Sequence, residues 1–146
     1  MNKLNRALFI FLVVAIVTTL GFIIYIAATP SKGEKFTEFY ILNTEGKAQD
    51  YPKQVVLGEP VDVLIGVVNH EYQPASYRID INIDGIKANG VNTGTLAYQQ
   101  KWQEKVNFTP QVAGKGQRVD FYLYKNGENE PYLKEPLRLF IDAVSQ

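Results

Sequence analysis

The residues able to do chemistry are few, and most stand at the wrong spacing. Asp80-Ile81-Asn82-Ile83-Asp84-Gly85 follows the first half of a calcium loop, in which alternating oxygen ligands precede a glycine at a sharp turn. That loop needs a bidentate Glu at its twelfth position, and the residue there is Val91. A strand running into an Asp-Gly hairpin turn explains the same residues, so no metal is expected on Asp80, Asn82 and Asp84. His70-Glu71 opens like H-E-x-x-H, but Pro74 stands where the second His belongs. With 1 His in the chain, no His-rich metal site can form. Ser31, Ser76 and Ser145 lie in no nucleophile elbow. Gly114-Lys115-Gly116 lacks the length and the following Ser or Thr of a phosphate loop. The chain has 0 Cys, which removes thiolate ligands, cysteine nucleophiles and disulfides. The expectation is a non-enzyme with no catalytic residue, no cofactor and no metal.

Two groups remain as candidates for recognition. Asn69-His70-Glu71-Tyr72 follows an apolar strand pattern, and Asn69 suits a turn because it tolerates positive φ. His70 and Glu71 then either fix that turn by hydrogen bonds or form a recognition tip. Tyr40, Tyr72, Tyr98, Tyr122, Tyr124 and Tyr132 could build a binding surface for sugar or protein, although strands are enriched in Tyr in any case.

The elements that must carry these residues fall into two parts. Ala7 to Thr29 is an uncharged run of 23 residues, about 35 Å as a helix against a hydrocarbon core of about 30 Å. It predicts one transmembrane helix over 7–29, preceded by a cytoplasmic N-terminus over 1–6. The run is longer than a signal-peptide core, and Ile26-Ala27-Ala28 fits a cleavage site poorly, so an uncleaved anchor is expected. Thr18, Thr19, Gly21 and Tyr25 are the helix residues suited to contact with other helices, because small and hydroxyl side chains permit close approach. Lys3 and Arg6 before the helix balance Lys32 and Lys35 after it, so basic residues alone do not orient it. The short N-terminus and the strand-rich remainder place the N-terminus inside and the domain outside.

Residues 30–35 form a linker that spans at most about 20 Å, which holds the following domain close to the headgroups. From Phe36 onward the apolar period is two. Tyr77, Ile79, Ile81 and Ile83 alternate with Arg78, Asp80, Asn82 and Asp84. Similar runs cover 36–42, 61–68, 102–108, 119–124 and 137–144, with shorter ones at 54–57 and 95–98. Gly58-Glu59-Pro60, Asp84-Gly85, Asn126-Gly127 and the stretch from Pro131 to Pro136 punctuate them. An all-β, antiparallel, immunoglobulin-like sandwich of about seven strands is expected over 36–146. This part carries 11 of the 15 basic and 14 of the 15 acidic residues, without a basic stripe, so nucleic acid is not an expected partner.

The segments Phe36 to Leu42, Gly46-Lys47-Ala48, Asp50-Tyr51-Pro52 and Gly66 to Tyr72 form a recognisable series. Trp102, Phe108-Thr109-Pro110, Gly116-Gln117, Phe121 to Lys125 and Glu130-Pro131-Tyr132 continue it. The series resembles an uncharacterised membrane-associated family of archaea and some bacteria, domain of unknown function 1616. The resemblance implies a sandwich facing the exterior and implies no activity. Together these readings predict a membrane-anchored interaction or structural subunit, with membrane lipid and other membrane-protein subunits as partners. A filament subunit built on the N-terminal helix, in the manner of a pilin or archaellin, is the alternative. A tethered carbohydrate- or metal-binding module is a further one.

Overall fold

In the computed structural model, which describes residues 2–28 and 33–146, the apolar run forms helix α1 (Lys3–Ala28). Every side chain of α1 is exposed. The helix begins four residues ahead of the expected Ala7, because Lys3 to Arg6 continue it. Thr29, the expected last helical residue, and the linker residues Pro30, Ser31 and Lys32 lie outside the described residues. The helix falls in one compact unit, Met1–Glu34, and the strands in a second, Lys35–Gln146.

The second unit contains eight strands: β1 (Phe36–Leu42), β2 (Gln54–Val56), β3 (Val61–His70), β4 (Ala75–Ile83), β5 (Ile86–Leu96), β6 (Lys101–Phe108), β7 (Gly114–Lys125) and β8 (Leu137–Val144). They form a three-stranded sheet, β1-β3-β6, and a five-stranded sheet, β2-β8-β7-β4-β5. All the described strand pairs are antiparallel except β2 with β8, which run parallel from Gln54↔Asp142 to Val56↔Val144.

The period of two builds the core. Val63, Ile65 and Val67 of β3 face Ile79 and Ile81 of β4 and Val119, Phe121 and Leu123 of β7, all essentially buried. Phe108 of the small sheet meets Phe121 of the large one edge-on, with ring centroids 6.1 Å apart and planes at 79°. Burying an aliphatic side chain of this size contributes roughly 1.5–3 kcal/mol. This core therefore holds the two sheets together without staples.

β5 pairs with β4 through the Asp84-Gly85 turn. Both turn residues have positive φ, 48° and 84°, as the tight hairpin turn with two left-handed residues requires. Asp84 reinforces that turn, its Oδ1 accepting from the Arg118 backbone N–H at 2.9 Å. Of the whole of β5, only Leu96 is buried.

Candidate interaction site

The Asn69 to Tyr72 segment closes β3 and turns into β4, and its residues point in two directions. Asn69 is fully buried. Its Nδ2 donates to Gln73 O at 2.8 Å and Leu96 O at 2.9 Å, and its Oδ1 accepts from Glu71 N–H at 2.8 Å. Its own backbone pairs with Gln99 and Gln100. Asn69 is thus the last inward residue of a strand and not the left-handed residue of the turn. That conformation falls to Tyr72, with φ 63°. The β3–β4 connection is held by the Asn69 amide, which satisfies three backbone groups that the bend leaves unpaired.

Glu71 is also buried, and it is the acceptor at the centre of a network that joins both sheets. Its Oε1 accepts from Thr37 Oγ1 at 3.0 Å and from Tyr132 Oη at 2.9 Å, and Lys125 Nζ lies 3.5 Å away. Thr37 Oγ1 lies 2.7 Å from Tyr77 Oη. Because Thr37 gives its hydroxyl proton to the carboxylate, Tyr77 donates to Thr37. Burial pushes the Glu71 carboxyl up, but Tyr132, Thr37 and the Lys125 charge together outweigh it and hold the group below its ordinary value. Burial pushes the Tyr77 phenol up, and the Glu71 charge adds to that rise. Glu71 is therefore held as an anion, with Oε1 engaged by partners inside the fold.

The alternate residues of the segment face outward. His70 stacks on Phe36 with ring centroids 4.6 Å apart, and its Nε2 lies 3.3 Å from Glu38 Oε2. Tyr72 packs on Tyr98 at 4.8 Å. Phe36 and Tyr98 are 48% and 41% exposed, so aromatic surface faces outward at this end of the sandwich. It is also the end at which the chain passes from the helix segment into β1. No three acidic or His side chains gather as a metal site among the described residues.

Elsewhere the tyrosines are dispersed rather than gathered. Tyr40 lies on the outer face of the small sheet, donating to Gln103 Oε1 at 2.8 Å. Tyr122 and Tyr124 lie on β7, with the Arg78 guanidinium 4.3 Å from the Tyr124 ring centre. Tyr132 belongs to the Glu71 network. Asp80 is committed to Arg78 and Lys87, each at 3.3 Å, so it does not share a loop with Asp84. On the same face Asp120 is buried between Arg118 Nε at 2.8 Å and Arg138 Nε at 2.7 Å. The hydrogen bond to Asp120 raises the Arg138 pKa. This two-arginine clamp and the Thr37, Tyr77, Lys125 and Tyr132 partners of Glu71 have no local signal in the sequence.

On α1, the Thr18 and Thr19 hydroxyls donate to Val14 O and Ala15 O, each at 2.8 Å, which leaves the donors satisfied within the helix. At about 100° per residue, Thr18, Gly21 and Tyr25 share a face, and Thr19 lies off it. Nothing crowds Gly21.

Comparison with known proteins decides the family. The profile described as Domain of unknown function (DUF1616) matches residues 30–141. The chain belongs to the DUF1616 family. No curated protein matches it by sequence. Among solved structures, the DUF1616 sandwich is similar to the CARDB domain of the PF1109 protein of Pyrococcus furiosus, crystallised in complex with di-metal ions. The TM-score is 0.53 at 14% identity, over 78% of this chain and 99% of that one. The solution structure of the same CARDB domain gives a TM-score of 0.52 at 15% identity, over 76% and 98% of the two chains. These likenesses establish an immunoglobulin-like sandwich, and α1 is long and apolar enough to cross a membrane.

Proposed function

We propose that this DUF1616 chain is a membrane-anchored, non-enzymatic interaction subunit, with α1 docked among other helices and the sandwich outside the cell membrane. One observation carries the reading. An apolar helix with every side chain exposed accompanies a sandwich that completes its own core without it. In water such a helix has no stable place, whereas in a bilayer its backbone is satisfied internally and its side chains meet lipid.

In this reading residues 30–35, which span at most about 20 Å, leave the Phe36 end of the sandwich within reach of the headgroups. Phe36, His70, Tyr72 and Tyr98 then meet lipid headgroups or neighbouring subunits, a setting in which amphipathic aromatics are favoured. Asn69 and Glu71 hold that surface in place without contributing to it. The non-enzymatic reading is supported by the buried carboxylates Glu71 and Asp120, which are engaged by internal partners.

The test uses the full chain in its host. Alkaline carbonate should leave it in the membrane fraction, protease added to intact cells should digest the sandwich, and mild detergent should extract it with other membrane proteins. Replacing Phe36 and Tyr98 together by Ser should deplete those partners without lowering membrane retention. Release by carbonate, or a sandwich protected in intact cells, would reject the anchor or its orientation. A mature N-terminus at Leu8 and recovery in shed fibres would establish a filament subunit instead.

A further inference from the structure

At the end of the sandwich opposite Phe36, the inward file of β7 finishes in a polar residue. Gln117 precedes Val119, Phe121 and Leu123 and is, like them, buried, at 6% exposure. A register shift against β8 between Gly114 and Gln117, with Gly116 at φ 63°, places it there. Bulges of this kind re-aim side chains and recur beside binding sites. Gln117 Nε2 donates to Val112 O at 2.7 Å, which fixes the amide orientation, since the reverse would set two oxygens against each other. Its Oε1 is buried and has no partner. A buried acceptor left unmade costs about 1–3 kcal/mol.

Gln117 lines a cleft of about 520 Å³ between the β4–β5 hairpin and the β6–β7 connection. Sites for small molecules run to roughly 300–1,000 Å³. Ile83, Ile86, Ala88 and Val112 form its apolar walls, with Ile86 74% and Val112 68% exposed at the mouth. The connection is pinned from behind, Gly58 N–H donating to Pro110 O at 3.0 Å. The two charged residues of the rim are already engaged. Asp84 Oδ1 accepts from Arg118 N–H, and Lys87 Nζ lies 3.3 Å from Asp80 Oδ1. With one acidic and one basic residue, the lining carries no net charge that would select an ionic ligand.

We infer that this cleft is a binding site for a neutral, largely apolar small molecule carrying one N–H or O–H donor, which Gln117 Oε1 accepts. The apolar body covers Ile86 and Val112, and the donor removes the unmade hydrogen bond. The site lies at the far end from the aromatic surface, so both can be occupied together.

The experiment uses the full chain in lipid nanodiscs with isotope-labelled Ile and Val methyl groups, titrated with indole and with 1-methylindole, which lacks the donor. Indole should shift the Ile83, Ile86 and Val112 methyls saturably, and 1-methylindole should bind at least about tenfold more weakly. Val112→Arg, an exposed change that fills the mouth, should abolish the Ile83 shift and leave distant methyls in place. Gln117→Leu should make the two compounds equivalent. If that variant loses its dispersed spectrum, the matched pair and Val112→Arg decide alone. No saturable shift up to the solubility of indole, equal affinity of the two compounds for the unmodified chain, or an undiminished shift in Val112→Arg would overturn the proposal.

Discussion

Thr37 and Tyr132, 95 residues apart in sequence, are bonded directly and also share one acceptor. The Thr37 backbone N–H donates to Tyr132 Oη at 2.9 Å, and both hydroxyls donate to Glu71 Oε1. The triangle ties the first strand of the small sheet to the connection that leads into the last strand of the large one. It closes the Phe36 end of the sandwich with directed bonds, where the opposite end is left as an open cleft.

Removing the carboxylate from this triangle should be costly. Glu71→Ala leaves Thr37, Tyr132 and Lys125 without their acceptor, and a loss of about 3 kcal/mol is expected. Urea denaturation of the chain in a nonionic detergent measures it.

The same carboxylate gives the fold a pH dependence of defined sign. Its folded pKa lies below the ordinary 4.5. Between the two values the unfolded chain takes up a proton that the folded chain refuses, so this contribution is full above about pH 4.5 and is lost as pH falls through the folded value. In Glu71→Gln the acid limb of stability should be shallower than in the unmodified protein, and melts from pH 3 to 7 (on the order of six points) test this.

The Asn69 to Tyr72 segment should divide by orientation. Asn69→Ala strands Gln73 O, Leu96 O and Glu71 N–H, and should cost about 3 kcal/mol. His70→Ala loses a half-exposed stack and a solvent-screened contact with Glu38, and should cost less than about 1 kcal/mol. Thermal melts of the two variants check the order, and a reversed order would contradict the inward placement of Asn69.

Gly66 is a position where a single methyl should matter. It pairs with Tyr40 across β1 and β3, and an added Cβ would fall within the Tyr40 ring. Gly66→Ala must displace that ring and break its bond to Gln103, at about 1–3 kcal/mol. Much of the cost should vanish when Tyr40 is also replaced by Ala, which a double-mutant cycle reads.

Calcium should leave the melting temperature unchanged, since a ligand of the folded state alone must raise it. Asp80 is held by Arg78 and Lys87, and Asp84 by the Arg118 backbone. A rise of several degrees at millimolar calcium, lost in Asp84→Ala, would contradict this reading of the hairpin.

The strands with a clean period of two were legible in the sequence, and β1 and β8 begin and end where the alternation does. The register of β5 was not. Ile86–Leu96 contains Gly90, Gly94, Asn89 and Asn92, and as an exposed edge it needs no apolar face, so its pairing is carried by backbone groups. Its signs were Asp84-Gly85, since a turn of that kind requires a returning strand, and the short run at 95–98, of which Thr95 and Leu96 end β5. Asn69 to Tyr72 stood out as a segment, but the division between inward and outward residues depends on partners 34 and 61 residues from Glu71. Gln117 gave no sign as a polar residue ending an apolar file, because the bulge that turns it inward is set by pairing with β8.

The placement of β8 between β2 and β7 also fixes the order of events in biosynthesis. Leu137–Val144 is made after the other seven strands, yet it supplies the hydrogen-bonding partner of β2, which is the second to be made. Until that segment has emerged from the ribosome, β2 has no neighbour, and Ile141 and Ala143 are missing from the interior. The large sheet cannot be completed before β8 is available. The β2 edge and the core beside it must therefore stay open while everything between them is being made, so the sandwich closes in one late step and not strand by strand.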